Sequence, residues 1–368
     1  CTSPNLPNRL RFRGVEVAPI ESSVGHSKRC FNQSGGVRVQ KSFYLFSDGQ
    51  ISRKDNTVVF ESEGKKRFLP IEQIGVLYVF GEVDTNKRFL ELASKYGILI
   101  HFFNYYGYYV GTYYPREHLN SGYMVLQQSA AYLDEARRLE LASLFVLGAM
   151  KNMTRVLSYY KRRGVDVDEE LEVCQSAVEL VGSQESIERL MALEGNTRES
   201  YYQVFDKILA NPDFRFEKRS RRPPQNRVNT LISFGNSFLY TAVLSEIYKT
   251  HLDPRIGFLH ATNFRRFSLN LDVAEIFKPI IVDRAIFDLV SHRVITASDF
   301  DEDTQGIILK ERGRKSFVAE LDKRLSTVIQ VRSLNRRVSY RRLIRVELYK
   351  IEKHLMQEKI YKPFIARW

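Results

Sequence analysis

The sequence predicts an α+β protein in which a small, mainly β region is followed by a larger, all-helical one. Three observations carry this. Residues 41–115 divide into short apolar runs separated by turn-forming residues, as strands do. Beyond about residue 118, apolar residues recur at helical spacing over stretches too long for strands. A chain of 368 residues, 43% hydrophobic and 27% charged, is also long enough for two domains and a sizeable core.

Residues 1–40 come first. Pro4, Pro7, Gly14, Gly25, Gly35 and Gly36 sit among polar residues without sustained periodicity, and a disordered extension is expected there. The β region is expected over 41–118. KSFYLFS, NTVVFES, KRFLPIE, IGVLYVF and ILIHFFN read as strands, with Asp48-Gly49 and Asp55-Asn56 as turns. Within it, Thr85 to Tyr96 has Phe89, Leu92, Ala93 and Tyr96 at helical spacing, and Gly97 is placed to stop that helix. Tyr105, Tyr106, Tyr108, Tyr109, Tyr113 and Tyr114 could stack on bases, but aromatic pairing across a hairpin through Gly107 explains them more simply.

The helical region is expected over 119–368. Tyr123 to Tyr160 reads as helix closed by Gly164, and Glu169 to Ala210 as further helices ended by Asn211-Pro212-Asp213. Thr230 to Tyr248 is apolar on nearly every side and suits a buried helix, as does Ile280 to His292. Asp301 to Asp303 mark a loop before a basic tail.

Composition excludes several functions. No apolar run is long enough to cross a bilayer and no secretory leader is seen, so a cytoplasmic protein with no membrane partner is expected. Cys1, Cys30 and Cys174 are too scattered for a disulfide framework or a thiolate metal site, which leaves oxygen and imidazole as metal ligands. The net charge of +13 favours a polyanionic partner. Lys310 to Lys350 alone holds 13 Lys or Arg against 4 Asp or Glu. Arg314, Lys315, Arg336, Arg337, Arg341 and Arg342 are its candidate phosphate contacts. A second basic stretch, RFEKRSRRPPQNR, offers Arg219, Arg221, Arg222 and Arg227 on a backbone stiffened by Pro223-Pro224, either as a solvated loop or as a phosphate-contacting one.

The chemistry concentrates in GFLHATNFRRFSLNLDVAEIFKP, residues 257–279. His260 precedes Asp272 and Glu275, whose spacing of three puts them on one helical face, a set able to hold a divalent cation. Arg265 and Arg266 lie between and suit an anion such as phosphate. A turn into an amphipathic helix with a solvated charged face accounts for the same residues.

With Glu194-Gly195 upstream the pattern sharpens. ALEGNTRESYY, RRPPQNRVNTLISFGNSFLY and GFLHATNFRRFSLNLDVAEIFKPIIVD, in that order after a KSFYLFSDG opening strand, closely resemble the CRISPR-associated protein one family, from about Lys41 to the C-terminus. Residues 1–40 have no counterpart in its pattern. The resemblance implies the integrase of CRISPR adaptation, with Glu194, His260 and Glu275 as metal ligands, Asp272 as a further acidic member and Lys278 close to the reacting phosphate. It implies a homodimer acting with a dimer of a small companion adaptation protein on double-stranded DNA. Mg²⁺ or Mn²⁺ suits such ligands. A non-catalytic nucleic-acid-binding assembly protein and a metal-dependent DNase unrelated to CRISPR are the alternatives.

Overall fold

The computed structural model describes residues 40–367 except 117, 118, 120, 222, 262–266, 304, 305 and 332–334. The expectation for an N-terminal extension therefore lies, apart from residue 40, outside the described residues.

The β region contains β1 (Lys41–Leu45), β2 (Gly49–Lys54), β3 (Thr57–Ser62), β4 (Lys65–Pro70), β5 (Ile74–Val79), β6 (Val83–Thr85), α1 (Lys87–Tyr96), β7 (Leu99–Phe103) and β8 (Tyr109–Tyr113). One sheet has the order β1-β5-β7-β8, parallel except for the final pair; the other has the order β4-β3-β2-β6. Helix α1 begins where the Asn86 side chain accepts from the Phe89 N–H and ends at Gly97, in the left-handed conformation, as its sequence foretells. Gly107, at φ 78°, lies in the turn between β7 and β8, and the tyrosines of β8 belong to this hairpin.

Strand β5 is buried almost throughout because both its faces are covered. Leu77 and Val79 point toward Phe89, Leu92 and Ile100 beneath α1, whereas Val76, Tyr78 and Phe80 join the large core that the helices build. The alternation of period two thus divides one apolar run between two cores. Tyr78 stacks on Phe238 at 5.1 Å between centroids, and His101 of β7 bonds to Ser245 at 2.8 Å.

The helical region runs α2 (Gly122–Leu133), α3 (Glu135–Lys161), α4 (Asp168–Leu180), α5 (Ile187–Leu209), α6 (Arg227–Ile247), α7 (Leu269–Lys278) and α8 (Arg284–Ser291), then β9 (Phe300–Asp303), β10 (Gly306–Leu309), α9 (Glu311–Ser326), β11 (Val328–Val331), β12 (Arg336–Ser339) and α10 (Tyr340–Leu355). The single helix expected over 123–160 is two, because Asp134 turns its carboxylate onto the Arg137 N–H and caps α3. Asp301 to Asp303 form part of β9 and pair with β10 instead of looping, and β11 and β12 make a second small hairpin. Helix α6 is buried along nearly its whole length. Between α7 and α8 the chain takes a π-helical turn, Pro279–Asp283, where proline supplies no N–H for the regular ladder. No helix among the described residues is long and apolar enough to cross a membrane.

Candidate active site

Helices α5 and α7 and the segment before α7 bring the chemically equipped residues together. Glu194 and Arg198 stand one turn apart on α5, and Asp272, Glu275 and Lys278 follow at intervals of three on α7. All three α7 side chains are buried, which fits a helix wedged between α3 and α6 and not a solvated charged face. Asn152 of α3 steadies the helix by donating to the Ile276 carbonyl at 2.8 Å and to the Phe364 carbonyl at 3.0 Å.

Asp272 organises the approach to α7. Its two oxygens accept from the backbone N–H groups of Phe258 (2.6 Å), Leu259 (3.1 Å) and His260 (3.0 Å), and Oδ1 lies 2.8 Å from His260 Nδ1. Ser268 Oγ accepts from Gly257 N at 2.8 Å. Gly257 is required here, since a Cβ would lie 2.8 Å from both Asp272 Oδ2 and the Ser268 carbonyl carbon. With Nδ1–H directed to Asp272, the neutral His260 ring has its Nε2 lone pair left for a ligand. Burial opposes a charged imidazole, but the hydrogen bond and charge of Asp272, with the charge of Glu275, outweigh it and raise the His260 pKa.

Arg198 joins the two glutamates. Its Nε donates to Glu194 Oε1 at 2.5 Å and its Nη2 to Glu275 Oε2 at 2.6 Å, while Lys278 Nζ donates to Glu275 Oε1 at 2.5 Å. Lys278 Nζ also lies 5.0 Å from the centre of the Tyr240 ring. Burial would raise the Glu275 pKa, yet the charges of Lys278, Arg198 and His260 hold it at about 2. The Lys278 pKa moves upward, Glu275 overcoming the effect of burial. Glu194, His260, Asp272, Glu275 and Lys278 thus lie around the meeting of α5 and α7 together with Arg198, whose only mark in the sequence is its place four residues after Glu194 on a helix. Among the described residues no three His, Cys, Asp or Glu side chains converge as a group able to hold a metal ion. Arg198 and Lys278 instead occupy both oxygens of Glu275 and one of Glu194.

The expected phosphate contacts divide by position. Arg221, Arg336, Arg337 and Arg342 are exposed, as is Lys315, which pairs with Glu311. Arg227 donates to the Asp213 carbonyl and Glu302, Arg314 is buried and donates to the Tyr105 carbonyl, and Arg341 pairs with Asp322. These three guanidinium groups are already engaged within the protein. Arg222, Arg265 and Arg266 lie outside the described residues. A separate basic cavity of about 530 Å³, lined by Arg155, Ser158, Lys161, Arg162 and Arg367, contains none of the expected residues.

The family model described as CRISPR associated protein Cas1 matches residues 43–323. The CRISPR-associated endonuclease Cas1 2 of Thermodesulfovibrio yellowstonii is 54% identical over 330 residues, covering 90% of this chain and 100% of that protein. A solved Cas1 protein from Thermotoga maritima superposes with a TM-score of 0.80 at 47% identity, covering 88% of this chain and 100% of its own. A casposase solved bound to its integration product is alike in fold alone, with a TM-score of 0.79 and 19% identity over 89% of this chain and 96% of that one. Matched by the family model over most of its length, and by the Thermodesulfovibrio relative over that relative's whole length, the chain belongs to the CRISPR-associated Cas1 family.

Proposed function

We propose that this chain is a metal-dependent DNA endonuclease and integrase that inserts captured DNA fragments into a CRISPR array as new spacers. The observation that carries the reading is that Arg198 ties Glu194 of α5 to Glu275 of α7 while Asp272 of the same α7 orients His260, in a chain 54% identical to a protein named an endonuclease. The donor set fits Mg²⁺ or Mn²⁺: two carboxylates, one of them ionised at any working pH, and one imidazole nitrogen. Bound by Glu194, His260 and Glu275, the ion would polarise the scissile phosphate and offset charge developing on the attacking and leaving oxygens.

The protein's own groups have separate tasks. Asp272 fixes the tautomer and direction of His260, so a ligand nitrogen need not be ordered when substrate arrives. Lys278 keeps Glu275 ionised and brings a buried positive charge beside the reacting phosphate. Exposed Arg221, Arg336, Arg337 and Arg342 hold backbone phosphates without reading sequence. The 3′-hydroxyl oxygen of the captured strand bonds to phosphorus at the repeat boundary as the P–O bond to the flanking nucleotide's 3′-oxygen breaks, the attacking hydroxyl giving up a proton and the departing oxygen taking one up to leave as a 3′-hydroxyl. One phosphodiester is exchanged for another, and water in place of the hydroxyl gives hydrolysis. As in the family, the active unit is a homodimer acting with a dimer of the small companion protein.

Half-site integration into a repeat-bearing duplex, measured with Mg²⁺ or Mn²⁺, tests the assignment. Glu194→Ala, His260→Ala and Glu275→Ala are expected to lower the rate by about 100-fold or more while leaving DNA affinity nearly unchanged, since exposed basic residues supply most of the attraction. Parental rates in these variants would defeat the reading.

A further inference from the structure

We infer that Arg198 is a built-in competitor of the divalent ion, holding Glu194 and Glu275 closed until the ion displaces it. This rests on the proposed metal site and adds a residue that acts against metal binding. The geometry is a bridge: one guanidinium occupies Glu194 Oε1 through Nε and Glu275 Oε2 through Nη2, at 2.5 and 2.6 Å. These are the two carboxylates on which an ion between α5 and α7 would draw. While the fork remains in place Glu275 has Arg198 on Oε2 and Lys278 on Oε1, so an ion drawing on both glutamates has to displace the guanidinium from Oε2.

The guanidinium is also incompletely housed. Arg198 is buried, yet its Nη1 has no hydrogen-bond partner among the described residues. An unsatisfied buried donor costs free energy, so the closed arrangement is less favourable than its two short bonds suggest. Leaving it therefore costs correspondingly less. Proton loss is no escape route, because guanidinium stays charged and the neighbouring carboxylates strengthen that preference. Arg198 must leave as a cation, and it leaves when a better cation for the same oxygens arrives. Glu275 keeps Lys278 on its other oxygen throughout, so a buried carboxylate need never stand without a partner.

Competition predicts that removing Arg198 tightens metal binding even though it removes a polar group from the site. The test titrates full-length protein, stripped of metal, with Mn²⁺ alone and no DNA, reading free Mn²⁺ by electron paramagnetic resonance and following the rise in melting temperature that Mn²⁺ causes. Arg198→Met is expected to bind Mn²⁺ at least about tenfold more tightly than the parent, the ratio that about 1.4 kcal/mol of lost competition produces. Its melting temperature should also rise more for the same added Mn²⁺. Arg198→Lys retains charge but cannot span both carboxylates, and it should bind with intermediate affinity. It decides the matter if the methionine variant fails to fold. Equal or weaker binding in the folded variants overturns the competition. Glu275→Ala separates this from failure of the functional reading: if that variant binds Mn²⁺ as well as the parent does, the ion is held elsewhere and the proposed metal site is wrong.

Discussion

Two buried aspartates near α7 have opposite fortunes. Asp272 is satisfied four times over, by three backbone N–H groups and an imidazole. Asp272→Asn turns an amide NH₂ toward donors that now face an acceptor, and a misplaced buried partner of this kind costs about 1 to 3 kcal/mol. Thermal unfolding should show that loss, together with weaker Mn²⁺ binding as His260 loses its orientation. Asp283, in the π-helical turn, has only the Tyr201 hydroxyl as a hydrogen-bonding neighbour among the described residues, and in poor geometry. Burial pushes its pKa up to about 7, against the pull of nearby Arg198, the Tyr201 hydroxyl and Lys278 and with Glu275 adding to the rise. Its folded pKa is thus above the unfolded value, so its contribution is fully present below the usual carboxylate range and is lost as pH rises toward 7. Asp283→Asn mimics the protonated acid. Its melting temperature relative to the parent should therefore be higher at pH 8 than at pH 5, as the difference in unfolding free energy grows by on the order of 1 kcal/mol per pH unit between about 4 and 7. An unchanged difference across that window would show that Asp283 does not titrate there.

At the scale of elements, helix α5 has a weak point beside its carboxylate. Gly195 is exposed in mid-helix and a Cβ there would meet nothing within 4 Å, so packing does not explain the glycine. Gly195→Ala is expected to stabilise the protein by roughly 0.5 to 1 kcal/mol, read from chemical denaturation, and to slow integration by narrowing the approach beside Glu194. A faster or equal rate would remove glycine's functional reason. Legibility in the sequence followed the strength of each element's own signal. Helix α1 was plain because one apolar stripe and one left-handed glycine define it, and β5 because it is apolar throughout. Strand β2 escaped because Ile51 is its single buried residue, and β9 to β12 because strands of four residues are too short to show an alternation. The break at Asp134 was hidden by apolar spacing that continues through it. Glu194 and Glu275 were legible through motif order, whereas their bridge through Arg198 depends on how α5 meets α7, which no local pattern records.

At the scale of the whole molecule, the proposed attraction for DNA rests on charge left on its surface. Neutralising Arg336, Arg337 and Arg342 together should weaken binding alike for unrelated duplexes and reduce the slope of log affinity against log salt by up to about 3, near one per phosphate contact. Parental affinity and slope would exclude these contacts. The same change at Arg314 or Arg341 is expected to act through stability, because those side chains serve Tyr105 and Asp322. The two cores served by β5 have a different consequence. Tyr78, Phe80, Leu99 and Phe103 belong to the core formed with α6, so the change from strands to helices near residue 118 is not a gap in the packing. Heat should find no seam there: hydrogen exchange at β5 and β7 and helical circular dichroism should report loss of the folded state over the same few degrees, in a single calorimetric peak.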